Sequence, residues 1–194
     1  MPHITRDSLM TLESYAKVRA SLRAEIIAHK KNRFLMLGEH ISLHFEDEKT
    51  MRYQIQEMLR AERTFEESGI QDELDAYNPL VPDGTNWKAT MMIEYPDPDQ
   101  RKVELARLKG VEDKIWMQVA EQPRVFAIAD EDMERENEEK TSSVHFLRFE
   151  LDPTSIAAAK AGSPIRIGIE HPAYPVASMT LPENIRAALV LDLA

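Results

Sequence analysis

Residues 78–95, NPLVPDGTNWKATMMIEY, are where the chain changes character. Asn78 to Asn86 carries Pro79, Pro82 and the pair Asp83-Gly84. Helix cannot cross such a stretch, because proline lacks a backbone donor and glycine favours turns. Lys88 to Tyr95 then reads as a strand. Upstream of this point the apolar residues recur at helical spacing, and downstream mostly at strand spacing. The class predicted is α+β, with long N-terminal helices packed against a mostly antiparallel sheet and short additional helices. We expect a single domain over 1–194. The turn marks where it would subdivide, into a helical portion, 1–78, and a sheet-rich portion, 87–194.

Working outward, residues 5 to about 31 lack proline and glycine and open on the caps Thr5 and Asp7. They place Leu9, Leu12, Tyr15, Ala16, Leu22, Ile26 and Ile27 within half of a helical wheel. Residues 34–37 and 41–46 flank Gly38-Glu39 as a hairpin with one solvated face. A second helix spans about 49–67, and a shorter one after Gly69 carries Ile70, Leu74 and Tyr77. Beyond the turn, strands are expected at 114–120, 124–128, 143–151 and 164–171, with helices at 98–109, 153–161 and 182–192. Asp152-Pro153, a cap followed by proline in the first turn, opens the second of these helices.

Two pairs of charges fall inside the apolar stripes: Arg19 and Arg23 on the first helix, Glu62 and Glu66 on the second. Each pair is one turn apart, so two guanidinium forks facing two carboxylates predict a buried ladder joining the helices. Its structural role is to fix their register. The functional alternatives are arginines that hold an anionic ligand or glutamates that hold a metal, and a further one is stripes that face solvent or another subunit. The polar face of the second helix, Tyr53, Gln56, Glu57, Arg60 and Arg63, reads as a solvated surface or a binding surface.

With 34 acidic against 24 basic residues the formal charge is -10, which disfavours nucleic acid as a partner. The one dense basic cluster, His29, Lys30, Lys31 and Arg33, ends a helix and complements its dipole. Zero cysteines exclude disulfides and thiolate metal sites, leaving His, Asp and Glu as strong ligands. The opening MPHITRDSLM has no basic stretch followed by an apolar run, and no apolar run reaches the roughly 20 residues of a membrane span. A cytoplasmic protein without membrane partners is expected. The acidic run DEDMERENEEK, 130–140, reads as a solvated loop or frayed helix; it lacks the ligand spacing of a calcium loop.

His40 and His44 stand about 13 Å apart on a strand and cannot share an ion. His145 begins the apolar face of Leu147, Phe149 and Leu151, whereas His171 ends that of Ile165, Ile167 and Ile169. If these strands run antiparallel, His145 and His171 share one end of a sheet, where Glu170 completes a candidate catalytic or metal site. If they run parallel the rings are roughly 20 Å apart and there is no such site. No phosphate loop, nucleophile elbow, His-Glu-x-x-His or di-iron Glu-x-x-His motif occurs.

The phrases IIAHKKNR (26–33), MRYQIQEMLRAERTFEESGIQDELDAYNPLVPDGTNWKATMMIEYPD (51–97), FAIADED (126–132), EEKTSSVHFLRFEL (138–151) and GIEHPAYP (168–175) resemble a bacterial family known as domain of unknown function 3501. The resemblance covers nearly the whole chain and brings no catalytic residue with it. It implies neighbours of redox type, rubrerythrin-like proteins and iron–sulfur oxidoreductases. The function expected is thus a non-catalytic accessory protein of a bacterial redox or oxidative-stress system, with a redox protein as partner and no cofactor of its own. The alternative is a small-molecule enzyme that binds a metal at His145, His171 and Glu170 or an anion at Arg19 and Arg23.

Overall fold

The computed structural model describes residues 3–133, 135–137 and 139–194. After a 3-10 turn at Arg6–Ser8, helix α1 (Leu12–Lys30) starts at Thr11, whose hydroxyl accepts from the Ser14 amide. The helix therefore begins later than Thr5 or Asp7, and Leu9 lies off its wheel. The hairpin β1 (Phe34–Leu37) and β2 (Ile41–Glu46) follows. Helix α2 (Glu48–Glu62) is capped by Asp47 and ends at Arg63, which adopts the left-handed conformation with φ 55°. Helix α3 (Glu67–Tyr77) follows, and the turn at 78–86 separates the helices from β3 (Asn86–Ile93).

The second half alternates short helices and strands: α4 (Pro98–Arg107), β4 (Ile115–Val119), β5 (Val125–Phe126), β6 (Ile128–Ala129), β7 (Val144–Glu150), α5 (Pro153–Lys160), β8 (Ile165–His171), β9 (Tyr174–Thr180) and α6 (Glu183–Val190). The class is α+β, with two antiparallel sheets in place of one. The first has the order β1-β2-β3-β7-β6, the second β5-β4-β8-β9. The segment expected as one strand at 124–128 breaks at Ala127. Phe126 pairs with Trp116 in the second sheet, whereas Ile128 pairs with Arg148 in the first.

Alternation along the strands builds the core. Ile41, Leu43, Phe45, Trp87, Ala89, Met91, Leu147 and Phe149 line one face of the first sheet. They join Ile115, Met117, Val119, Ile165, Ile167 and Ile169 of the second sheet, and Ile185 and Leu189 of α6, in one apolar cluster. Burying each such side chain contributes about 1.5–3 kcal/mol. A smaller cluster, including Ile4, Leu9, Met51, Ile55, Leu59, Ile70 and Leu74, binds the N-terminal segment to α2 and α3. Among the described residues no helix is long and apolar enough to cross a membrane.

Candidate functional site

The charged stripes do not form the expected ladder. Arg19 does lie on the inner stripe of α1 with Tyr15, Leu22 and Ile26, but it meets Glu57: Nε donates to Oε1 and Nη2 to Oε2, each at 2.7 Å. The Tyr15 hydroxyl donates to the same Oε1 at 2.6 Å. Arg23, Glu62 and Glu66 are exposed, and no ion pair links them to one another or to Arg19. The reason is the stop at Arg63: Glu62 is the last residue of α2, Glu66 precedes the first residue of α3 without a side-chain capping bond, and Phe65, 69 % exposed, leaves the apolar arc. What reads as a free polar face on α2 is partly an interface, since Gln56 exchanges hydrogen bonds with the backbone of Met10 and Glu57 receives α1.

The basic cluster also turns inward. His29 Nε2 lies 2.6 Å from Asp47 Oδ2, while Arg33 forms a bidentate pair with Asp192.

His145, His171 and Glu170 do not form one ligand group: β7 belongs to the first sheet and β8 to the second, and each of the three side chains has its own partners. His171 is held by backbone groups on both ring nitrogens, with Nε2 3.0 Å from the carbonyl of Lys109, 62 positions earlier, and Nδ1 accepting from the nearby Ala173 amide. Glu170 is exposed and pairs with Arg124, which stacks over Trp116.

His145 instead heads a different cluster. Opposite Met91 in the register, it sits on the core face and is fully buried. Its Nδ1 lies 2.5 Å from Asp130 Oδ2. Asp130 directly follows β6 in the left-handed region, φ 51°, a conformation aspartate tolerates better than most residues. Its Oδ1 accepts from the Phe146 amide at 2.9 Å and from Arg135 Nε at 3.0 Å, which fixes the carboxylate against the imidazole. On the far side of the ring, Nε2 faces three oxygens: Thr141 Oγ1 at 2.9 Å, the Ser142 carbonyl at 3.0 Å and Glu112 Oε2 at 3.9 Å. Glu112 sits in a 3-10 turn, Val111–Lys114, and burial pushes its carboxyl up from the usual range.

Glu112, Asp130 and His145 present ligand atoms within 4.8 Å of one another and are the sole such group among the described residues. Glu112 and Asp130 also line a cavity of about 270 Å³ with Asp113, Arg135 and Glu136. The sequence of contacts Thr141–His145–Asp130 has the composition of a nucleophile triad. Thr141 is 1 % exposed, however, so its hydroxyl is closed to a substrate.

The alternation in VHFLRFE placed His145 on a core face, and a buried imidazole needs partners. Asp130 was hidden by the acidic run that follows it, and Glu112 by a lack of periodicity in VEDK. Residues 131–133, 139 and 140 of that run are exposed and irregular, as expected of a solvated loop. The Asp130 side chain, by contrast, is largely buried, Glu131 pairs with Arg148, and Glu136 accepts from the Gly110 amide. Residues 134 and 138 lie outside the described residues.

Residues 3–193 match the family described as Protein of unknown function (DUF3501). A crystal structure at 1.90 Å resolution of a novel protein of unknown function from Burkholderia pseudomallei is similar: 54% sequence identity, 100% of each chain covered, TM-score 0.95. No curated protein matches.

Proposed function

For a chain that belongs to the DUF3501 family, whose description names no reaction, we propose a function from the site itself: it is a divalent-metal-binding protein, with the ion held by His145 and Glu112. The observation that carries this reading is the ring of oxygens around His145 Nε2, combined with the carboxylate of Asp130 on Nδ1. A metal-bound imidazole characteristically has its other nitrogen oriented by a carboxylate. In this reading Asp130 fixes the ring, and the Thr141 hydroxyl and Ser142 carbonyl supply hard oxygens beside Glu112. One nitrogen among oxygens suits manganese, iron or zinc, and the first two accord with the redox neighbours that the family resemblance implies. The cavity gives an ion and a small polar molecule a route to the Glu112 side. The activity to seek is metal-assisted chemistry on such a molecule.

Calorimetric titration of chelator-treated protein with manganese or zinc chloride tests the reading. One ion per chain is expected, with binding lost in His145→Gln and Glu112→Gln. Asp130→Asn should weaken it by about 10- to 100-fold. If the unmodified protein binds neither ion, or His145→Gln binds equally well, the cluster is a structural hydrogen-bond network and the proposal fails.

A further inference from the structure

The outward face of the same strands carries a lysine that the metal reading does not use. Lys88 on β3 stands between Glu46 of β2 and Arg148 of β7 in the register. Each acid around it is committed elsewhere. Glu46 receives the hydroxyls of Thr50 and Thr90 at 2.6 and 2.8 Å. Glu131 takes two hydrogen bonds from Arg148, each at 2.8 Å. Glu150 accepts from Thr85, Asn86 and Arg148. Asp83 Oδ1 accepts from the amide and hydroxyl of Thr85. The half-buried Lys88 ammonium makes no hydrogen bond or ion pair with any described residue.

Lys88 lines a cavity of about 430 Å³ together with Pro79, Val81 and Pro82 of the proline turn, Arg148 and the already engaged carboxylates Glu131 and Asp83. The volume falls in the range of small-molecule sites, and the lining joins an apolar wall to one uncommitted cation. Burying a charge without a partner is costly, so a ligand that supplies a counter-charge is selected over a neutral one.

We propose that this cavity binds the carboxylate or phosphate group of a small molecule, with the Lys88 ammonium as its anchor. Burial, and next the Arg148 charge, hold the Lys88 amine below the usual lysine range, a cost that an oxyanion would relieve. The site is separate from the metal cluster, so either reading stands if the other fails.

Reductive methylation with ¹³C-formaldehyde labels each lysine while keeping its charge. The Lys88 signal is assigned by its loss in Lys88→Arg, or in Lys88→Gln if the first variant does not fold. Malonate and inorganic phosphate are then titrated at constant ionic strength in the presence of a chelator. The Lys88 signal should move and saturate at millimolar anion, while the other lysine signals drift linearly. Saturation with malonate alone identifies a carboxylate site, and with phosphate alone a phosphate site. A Lys88 signal that moves no more than the others, or an amine that fails to react because it is inaccessible, overturns the proposal.

Discussion

Arg33 and Asp192, 159 positions apart in sequence, form a buried bidentate ion pair: Nη1 donates to Oδ2 and Nη2 to Oδ1, both at 2.8 Å. Each side chain is 4% exposed. Arg33 also reaches the Ala188 carbonyl, and its Nε lies 3.0 Å from Asp47. The pair thereby fixes the end of the chain against the loop that leaves α1. Burial pushes the Asp192 carboxyl above its usual range, so the carboxylate is costly to keep charged without its partner. Arg33→Met alone should cost about 3–5 kcal/mol in urea denaturation, because it strands that carboxylate. The double variant Arg33→Met/Asp192→Leu should recover most of the loss. Equal loss in both would show that the arginine acts through packing and not through charge.

The sheet strands of the second half were legible because period-two alternation survives wherever one face is buried, as in VHFLRFE and IRIGIEH. Three features were not. The stop of α2 depends on Arg63 taking a left-handed conformation, which nothing local demands, and with it went the Arg19/Glu62 pairing. Assignment of β7 and β8 to different sheets is a long-range outcome, so no local pattern forbade joining His145 to His171. The edge strand β9 carries little signal because Tyr174–Thr180 has little burial and has proline at its second position, Pro175, as suits an exposed edge. In the site, His145 was legible from its face, whereas Glu112 and Asp130 come from segments without periodicity.

The Arg19–Glu57–Tyr15 group gives a pH dependence with a definite sign. Chiefly through its hydrogen bond from Arg19, the Glu57 carboxyl is lowered from 4.5 to about 2. The folded protein therefore binds this proton less tightly than the unfolded chain. The stabilisation is complete above pH 4.5 and is lost as pH falls through about 2. Glu57→Gln should destabilise by about 1–2 kcal/mol at pH 7, the scale of a partly exposed charge-assisted hydrogen bond. Urea denaturation across this range should show the wild-type advantage shrinking with acid; a constant difference would mean that Glu57 contributes by shape alone.

Gly38 and Tyr174 form a second long-range tie. The Tyr174 hydroxyl donates to the Leu37 carbonyl at 2.9 Å and accepts from the His40 amide at 2.8 Å, bridging β9 to the β1–β2 turn. Gly38 permits this twice over. Its φ is +72°, and a Cβ there would lie 2.5 Å from the Tyr174 oxygen. Gly38→Ala should cost about 2–3 kcal/mol, combining left-handed strain with lost hydrogen bonds. Tyr174→Phe should cost about 1–2 kcal/mol. The double variant should cost less than the sum, since removing the hydroxyl removes the clash. Strict additivity in a denaturation cycle would sever the proposed link.

A metal held at His145 and Glu112 also has a thermal signature, because an ion that binds only the folded chain stabilises it by mass action. At a free concentration 100 times its dissociation constant the gain is about 2.7 kcal/mol. For a chain of 194 residues that corresponds to a rise in Tm of roughly 5–10 °C. Chelator-treated protein should show this rise on addition of manganese or zinc, and the chelator should reverse it. Glu112→Gln should abolish the rise while leaving a folded protein, since glutamine keeps the shape of the side chain and can accept from Thr141, whose Oγ1 lies 3.3 Å from each Glu112 oxygen. Asp130→Asn should reduce the rise without removing it, because in the proposed arrangement it orients the imidazole from Nδ1 and does not hold the ion. The ordering of the two variants is the informative result: if Asp130→Asn abolishes the rise and Glu112→Gln does not, the ion lies on the Asp130 side of the ring.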